Sequence, residues 1–180
     1  MRIISGYLKG KKIFEPLDLE TRPLKDLVKE TIFNIIQHSS RIKIDLKDAH
    51  VLDLFSGTGS FGLECFSRGA KTVTFFENYT PSINVLRKNL AYLKLEESSK
   101  IITKSAFELD HILSSNNKFD LIFIDPPFKN NDLNKLIDKI ISIKITNNQS
   151  VIIIHRNKKT KEVINNRFQI SVERTFGLSK

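Results

Sequence analysis

The alternation of short apolar runs with segments of helical spacing, which begins near residue 50, most constrains the fold. Strands that are apolar almost throughout and alternate with helices are typical of a parallel sheet covered on both faces. The sequence therefore predicts an α/β, doubly wound fold. The apolar runs place strands at 51–55, 72–76, 101–103, 119–124 and 151–154, with 168–172 as a candidate sixth. The helical segments lie near 60–67, from 80 onward, and near 106–113 and 132–141.

Two further segments precede this alternation. Residues 1–20 carry apolar pairs, Ile3-Ile4 and Ile13-Phe14, on either side of a Gly-Lys turn, which predicts a small hairpin. Residues 21–38 repeat apolar side chains at helical spacing after a start signal, which predicts a leading helix. Its other face is expected in water and carries Lys25, Asp26, Lys29 and Glu30. A chain of 180 residues predicts one domain, with a catalytic α/β core over 50–180.

The charge balance favours a polyanionic partner. Lys and Arg number 29 against 20 Asp and Glu, a net charge of +9 with a pI near 9.6. Counterion release makes such an excess favourable on nucleic acid, although an AT-rich genome also yields a Lys-rich, solvated surface. The densest basic cluster precedes residue 30 and predicts nucleic-acid contact: Lys9, Lys11, Lys12, Arg22, Lys25 and Lys29.

Composition narrows the classes of protein. No apolar run approaches the roughly 18 residues of a membrane span, and the first ten residues lack the apolar stretch of a signal peptide. We therefore expect a cytoplasmic protein that does not bind membranes. The single cysteine, Cys65, leaves no partner for a disulfide or a CxxC metal site, and we expect it to pack in the core.

The first candidate site is Val51-Leu-Asp-Leu-Phe-Ser-Gly-Thr-Gly-Ser-Phe-Gly62, a strand that runs through closely spaced glycines into a helix. Such a turn lets the backbone approach a ligand and points free helix N–H groups at it, so nicotinamide and flavin nucleotides are also candidates. Asp53 at the strand end would repel a pyrophosphate but suits an amino or sulfonium charge. S-adenosylmethionine (SAM) carries both. The alternative is a turn that serves close packing alone.

Glu77 follows the second strand directly. An acidic side chain at this position is placed to accept hydrogen bonds from ribose hydroxyls, in a dinucleotide site or a SAM site alike. The pattern indicates an adenosine ligand without naming it, and a solvated surface glutamate is the alternative.

The third candidate site is Phe119-Asp-Leu-Ile-Phe-Ile-Asp125-Pro126-Pro127-Phe128, a strand ending in an acid, two prolines and an aromatic. Two prolines remove two backbone donors and fix φ, which leaves the carbonyls and the Asp125 carboxylate as a stiff array of acceptors. Acceptors that hold both hydrogens of an exocyclic amine can localise its lone pair toward an electrophilic methyl group. Phe128 would stack on the base. The alternative is a rigid turn followed by a core phenylalanine.

The order of these motifs resembles the class I SAM-dependent methyltransferases that carry a D/N-P-P-Y/F signature. More narrowly, the chain resembles the RsmD-like bacterial family that methylates guanine N2 in 16S, small-subunit ribosomal RNA. The resemblance rests on Met1-Arg-Ile-Ile-Ser-Gly6, Gly10-Lys-Lys-Ile13, Thr21-Arg-Pro-Leu-Lys-Asp-Leu-Val-Lys-Glu-Thr-Ile-Phe-Asn34, Leu52-Asp-Leu-Phe-Ser-Gly-Thr-Gly-Ser-Phe-Gly-Leu-Glu64 and Ser67-Arg-Gly-Ala70. It implies a Rossmann-like sheet of the seven-stranded type with an N-terminal hairpin and helix extension.

The resemblance also implies roles for individual residues. Asp53, Gly57 and Gly59 would hold the methionine end of SAM, Glu77 the ribose, and the backbone near Ala106 the adenine. The catalytic set that holds the guanine amino group would be Asp125, Pro126, Pro127 and Phe128. Arg22 would lie near the pocket, the hairpin would contact RNA, and no metal is required. The substrate would be small-subunit ribosomal RNA, free or in an assembled ribonucleoprotein particle, and the protein is expected to be a monomer.

Two departures from the family pattern matter. Ser105 stands before Ala106 where the family often has an acidic or amide residue, and the ending 174–180 stops where a final antiparallel strand should start. We expect that strand to be short, missing or truncated. Three rival functions remain open: an adenine-N6 or cytosine-N4 methyltransferase on RNA or DNA, an NAD-dependent oxidoreductase, and a non-catalytic RNA-binding assembly factor.

Overall fold

The computed structural model describes residues 1–15, 24–127, 132–160 and 170–180. Within them, five strands form one parallel sheet in the order β3-β2-β1-β4-β5. The predicted α/β, doubly wound class is thereby confirmed, with each predicted central strand within a few residues of its observed position. The strands are β1 His50–Leu54, β2 Thr72–Phe76, β3 Ser99–Ile102, β4 Phe119–Ile124 and β5 Thr146–Ile154.

Helices cover both faces of the sheet. Four are α-helical: α1 Asp26–His38, α2 Ser60–Ser67, α3 Thr80–Leu93 and α4 Leu133–Ser142. Short 3₁₀ helices occupy Glu96–Ser98 and Ala106–His111. The helix predicted over 106–113 is therefore shorter and of the tighter 3₁₀ type, a form that proteins use in short connecting pieces.

Alternate residues of the central strands feed two apolar layers. Val51 and Phe123 enter a layer with the hairpin, α1, α2 and α3, whereas Leu52 and Ile122 enter a layer with α4 and the 106–111 helix. All four are at most 2% exposed. Burial on both faces explains why the strands read as continuous apolar runs rather than alternating ones. Cys65 is fully buried in the first layer, as predicted.

The strand order reverses between β1 and β4. From β1 the chain adds β2 and β3 on one side and then returns to add β4 and β5 on the other. Open parallel sheets bind ligands at such a switch point, beyond the carboxyl ends of the strands. A ligand site is therefore expected at the loops that follow β1 and β4.

The N-terminal hairpin is small and is anchored on α2. One antiparallel bridge joins Arg2 and Lys12. The Ile4 and Ser5 N–H groups donate to the Glu64 carboxylate at 2.7 and 3.0 Å. The N–H groups of residues 7 and 8 donate to the carbonyl and hydroxyl of one serine in α2, Ser67. The hairpin is thus hydrogen-bonded to the core and is not a loose extension.

The leading helix corrects one part of the sequence prediction. Lys29, expected on the solvent face of α1, is 0% exposed, whereas Leu27 is 53% exposed. The Lys29 ammonium donates to the Arg2 carbonyl at 2.8 Å and to the Ser60 hydroxyl at 3.2 Å, and lies 3.9 Å from Glu64. These acceptors replace water and explain why a lysine is tolerated inside. Residues 21–23, the predicted helix start, lie outside the described residues.

The C-terminal residues form only a short antiparallel piece. Arg156 and Lys180 exchange two backbone hydrogen bonds, and Asn157 bridges Ser179. Within the described residues, antiparallel pairing at this end is limited to these contacts and one further bridge, Phe176 to Ser179. Ile170–Val172 form no strand, so the sixth strand predicted at 168–172 is wrong over the part described, and the seven-stranded count is not confirmed. No helix in the described ranges is long and apolar enough to cross a membrane.

Candidate functional site

Three carboxylates from three chain segments meet at the carboxyl edge of the sheet. Leu54 of β1 pairs with Phe76 of β2 and with Ile124 of β4. Asp53 lies at the end of β1, and the residues directly after the two partner strands are Glu77 and Asp125. A pocket at this edge is lined by Leu24, Asp53, Phe55, Ser56, Gly57, Thr58, Ser60, Phe61, Phe123 and Asp125. The first and third sequence motifs therefore form one site.

The glycine loop has the backbone conformation that its sequence predicts. Gly57 and Gly59 have positive φ angles of 54° and 84°. A Cβ at Gly59 would also lie 2.4 Å from a Leu86 methyl carbon, so only glycine fits there without displacement. Asn89 of α3, which sequence reasoning missed, is fully buried and donates to the Thr58 carbonyl at 3.0 Å. The loop is consequently held rigid before α2 begins.

Asp53 is 1% exposed and accepts a hydrogen bond from the Gly62 N–H at 3.0 Å. Burial is the main cause that raises its pKa well above the ordinary value, and the negative charges of Asp125 and Glu77 raise it further. The Gly62 hydrogen bond opposes this rise. Asp53 and Glu77 take part in no ion pair among the residues that the structure describes. The site is therefore an acidic pocket that favours a cationic ligand.

Glu77 joins the glycine loop to the start of α3. One of its carboxylate oxygens accepts from the Gly57 N–H at 2.7 Å, and the other accepts from the N–H groups of Asn78 and Tyr79 at 2.9 and 2.8 Å. A carboxylate has about four lone-pair directions, so these three bonds leave one acceptor position. The side chain is half-buried and remains available to a ligand hydroxyl.

The loop after β4 presents Asp125, Pro126 and Pro127. Pro126 is buried, Pro127 is exposed, and the Asp125 carboxyl is 23% exposed. Phe123, at the end of the same strand, stacks on Phe61 with ring centroids 3.9 Å apart and lines the pocket. Phe128, the predicted stacking residue, lies outside the described residues.

Two residues that follow β5 were missed by sequence reasoning. His155 is 9% exposed, and its Nδ1 lies 2.8 Å from Oδ1 of Asp125. Arg156 is 3% exposed, and its guanidinium donates to the Pro127 carbonyl at 3.4 Å. The sequence did contain a signal for them, because two polar residues directly follow an apolar strand. The same end-of-strand argument that found Glu77 applies to them.

Ser105, which departs from the family pattern, caps the short helix that follows β3. Its hydroxyl accepts from the Phe107 N–H at 3.2 Å, and its N–H donates to the Glu108 carboxylate at 3.1 Å. Ser105 is thus the N-cap of the 106–111 helix, in a reciprocal capping arrangement. Ala106 is 3% exposed at the first position of that helix.

The predicted basic surface is present in part. Lys9, Lys11, Lys12 and Lys25 are exposed. Lys29 is buried, as described above, and is excluded from any contact with nucleic acid. Arg22 lies outside the described residues. Within those residues, no group of three or more His, Cys, Asp or Glu side chains is arranged to hold a metal ion.

The parallel sheet flanked by helices is that of Rossmann-like methyltransferases, and solved structures confirm this fold class. The structure of the Escherichia coli protein yhhF superposes with a TM-score of 0.82 at 27% identity, covering 99% of this chain and 93% of that chain. The fold class is therefore shared with an experimental structure.

The family follows from the sequence comparisons. The family profile described as "Conserved hypothetical protein 95" matches residues 1–180. Ribosomal RNA small subunit methyltransferase D of Haemophilus influenzae is 34% identical, over 99% of this chain and 90% of that protein. The protein of the same name from Buchnera aphidicola subsp. Baizongia pistaciae is 31% identical, over 91% and 80% respectively. The chain belongs to this RsmD family of methyltransferases.

Proposed function

We propose that the protein transfers a methyl group from SAM to the exocyclic N2 amino group of a guanine in small-subunit ribosomal RNA. The observation that carries this proposal is the meeting of a rigid glycine loop, an acidic pocket and the Asp-Pro-Pro acceptors at one switch point. The names of the Haemophilus and Buchnera relatives support ribosomal RNA as the substrate.

The residues of the pocket fit SAM. Asp53 is buried beside two more carboxylates with no cationic side chain bonded to it in the described ranges, so a ligand of positive charge relieves an unfavourable arrangement. Asp53, Gly57 and Gly59 would hold the methionine portion, Glu77 the ribose, and the backbone near Ala106 the adenine. A dinucleotide pyrophosphate would instead be repelled by Asp53, which disfavours an NAD-dependent oxidoreductase. When bound, SAM supplies an electrophilic methyl group on a positively charged sulfur.

The Asp-Pro-Pro loop would hold the amino group. The Asp125 carboxylate and the carbonyls of the two prolines are acceptors, and an exocyclic amine offers two hydrogens to them. Acceptors that bind both hydrogens leave the nitrogen lone pair directed at the methyl group. The nitrogen then gains a methyl group and loses a proton, which the Asp125 carboxylate or water can accept. Positioning and electrostatics supply most of the rate.

The exposed lysines of the hairpin and of the start of α1 would contact the RNA. Lys9, Lys11, Lys12 and Lys25 are solvent-exposed and carry no ion pair among the described residues, so their charges are available to phosphates. We assign the protein to the cytoplasm, where ribosomal RNA is modified, and propose a monomer acting on RNA or on an assembled particle, without a metal ion.

The test measures transfer of labelled methyl from SAM to small-subunit particles lacking the modification, followed by nucleoside analysis by mass spectrometry. The wild-type protein should produce N2-methylguanosine. The variant Asp125→Ala should lower kcat by about 10²- to 10³-fold because an acceptor for the amino group is lost. The matched control, Asp45→Ala, removes an exposed carboxylate that does not line the pocket and should leave turnover unchanged.

Other outcomes would redirect the proposal. Methylated adenine or cytosine would keep the mechanism and move the target base. SAM binding without transfer to any RNA would contradict the proposed reaction and favour an RNA-binding assembly factor. Full activity of Asp125→Ala would remove the amino-group site from this loop.

A further inference from the structure

The two residues that follow β5 contact the loop that carries Asp-Pro-Pro. The His155 N–H donates to the Ile124 carbonyl at 2.9 Å, which continues the β4–β5 ladder by one residue past Ile154. This register places the imidazole beside the first residue after β4, Asp125. The contact therefore arises from strand pairing and not from the conformation of a free surface loop.

The geometry around Asp125 defines the role of each oxygen. The only side chain bonded to Asp125 within the described ranges is His155, whose Nδ1 lies 2.8 Å from Oδ1. A carboxylate in its ionised form can only accept, and in that form Nδ1 is the atom that donates. Oδ2 accepts no hydrogen bond from another described residue and is therefore the oxygen available to a hydrogen of the substrate. Both partners are largely withdrawn from water, with side-chain exposures of 10% and 23%.

The next residue supports the other end of the loop. The Arg156 guanidinium donates to the Pro127 carbonyl at 3.4 Å. The backbone N–H and carbonyl of Arg156 are both hydrogen-bonded to the backbone of Lys180. Consecutive residues after β5 thus contact the carboxylate and the carbonyl that the proposed mechanism uses as acceptors. Proline fixes φ but leaves the Asp125 side-chain torsions free, so a separate group is needed to orient that carboxylate.

We propose that His155 is a positioning residue for the amino-group site, acting by donating Nδ1–H to Oδ1 of Asp125. It holds the carboxylate in the rotamer that directs Oδ2 to the substrate amine. This inference rests on the proposed amino methylation and adds to it a residue outside the Asp-Pro-Pro motif. We expect its effect on kcat, because the histidine orients an acceptor for the reacting nitrogen and does not line the pocket that would hold SAM.

The experiment compares three variants with wild type in the methyl-transfer assay, with SAM affinity and thermal melting measured on each. His155→Phe removes the donor and should lower kcat by about 10- to 100-fold at unchanged SAM affinity. His155→Asn places an amide N–H near the Nδ1 position and should restore most of the activity. The matched control is His50→Phe. The Nδ1 of His50 also makes a side-chain hydrogen bond, to Thr72 at 2.7 Å, but it lies at the amino end of β1, away from the Asp-Pro-Pro loop. This control should keep full kcat.

A second readout does not depend on activity or on how well His155→Phe folds. Nitrogen NMR of wild-type protein labelled in histidine should place the proton of neutral His155 on Nδ1, and Asp125→Ala should abolish that preference. A wild-type enzyme that does not transfer methyl at all would contradict the proposed function, not this inference. The inference is overturned by a neutral His155 protonated on Nε2, by full activity of His155→Phe, or by equal losses in the Phe and Asn variants.

Discussion

The molecule buries charge in two places, and the two differ in how that charge is compensated. Beneath the hairpin, the fully buried Glu64 accepts from two backbone N–H groups and from Arg68, and Lys29 lies 3.9 Å away. At the carboxyl edge of the sheet, Asp53 lies beside two further carboxylates. The first cluster balances its charges within the described chain, whereas the second adds charges of one sign.

The difference separates a structural cluster from the proposed binding site. A buried charge with its own partners holds elements together, and here it ties the hairpin to α1 and α2. Buried carboxylates without a cation raise the free energy of the empty protein, and such arrangements concentrate at functional sites. Helix α2 connects the two clusters, since its Gly62 N–H donates to Asp53 and Glu64 lies two residues further along the same helix.

The largest expected effect is on the compensated cluster. Replacing Lys29 with Met removes the cation but leaves Glu64 and the Arg2 carbonyl buried, so we expect a loss of about 3–5 kcal/mol in the free energy of unfolding. Chemical denaturation measures this, with Lys25→Met as the control because Lys25 precedes the same helix and is exposed. Equal stability of the two variants would contradict the structural role of Lys29.

A smaller effect concerns pH and the uncompensated cluster. Burial raises the pKa of Asp53, so in the empty protein this carboxyl takes up a proton at a higher pH than an ordinary aspartate. A cationic ligand prefers the ionised form, and SAM affinity should therefore fall as the pH drops through that raised pKa, by up to about tenfold per pH unit. Calorimetric titration over a pH series measures it. In Asp53→Asn this part of the pH dependence should vanish, and its persistence would assign the proton to another group.

The raised pKa of Asp53 also determines how the free energy of unfolding changes with pH. Because the folded-state pKa of Asp53 is raised, its contribution to stability is fully present below the ordinary pKa of aspartate and is lost as the pH rises through the raised value. The free energy of unfolding of Asp53→Asn relative to wild type should therefore increase with pH.

Patterns along the chain predicted the parts of the fold that depend on local order. Strands buried on both faces give apolar runs, and β1, β2 and β4 were found by that signal. The glycine loop and the residues after β1, β2 and β4 were located because parallel strands place their carboxyl ends together. The structure places Asp53, Gly57 and Asp125 around one pocket, and their roles in binding remain predictions.

Contacts between distant segments could not be predicted. Helical spacing marks one face of α1 as polar but does not reveal that the Arg2 carbonyl and Ser60 lie opposite Lys29. The His155–Asp125 hydrogen bond likewise depends on the register of β5 against β4, which the sequence does not encode locally. The 168–172 segment has the apolar pattern of a strand, yet Ile170 is 57% exposed. The pattern alone does not show whether such a segment is buried in the sheet.

The central claim is that the acidic pocket binds a cation-bearing adenosine ligand, and calorimetric titration of SAM into the wild-type protein at neutral pH tests it most directly, with NAD⁺ and the variant Asp53→Asn alongside. We expect one SAM per chain, an affinity about 10- to 100-fold weaker in Asp53→Asn, and no binding of NAD⁺. Equal SAM affinity in the two proteins, or tighter binding of NAD⁺ than of SAM, would contradict it.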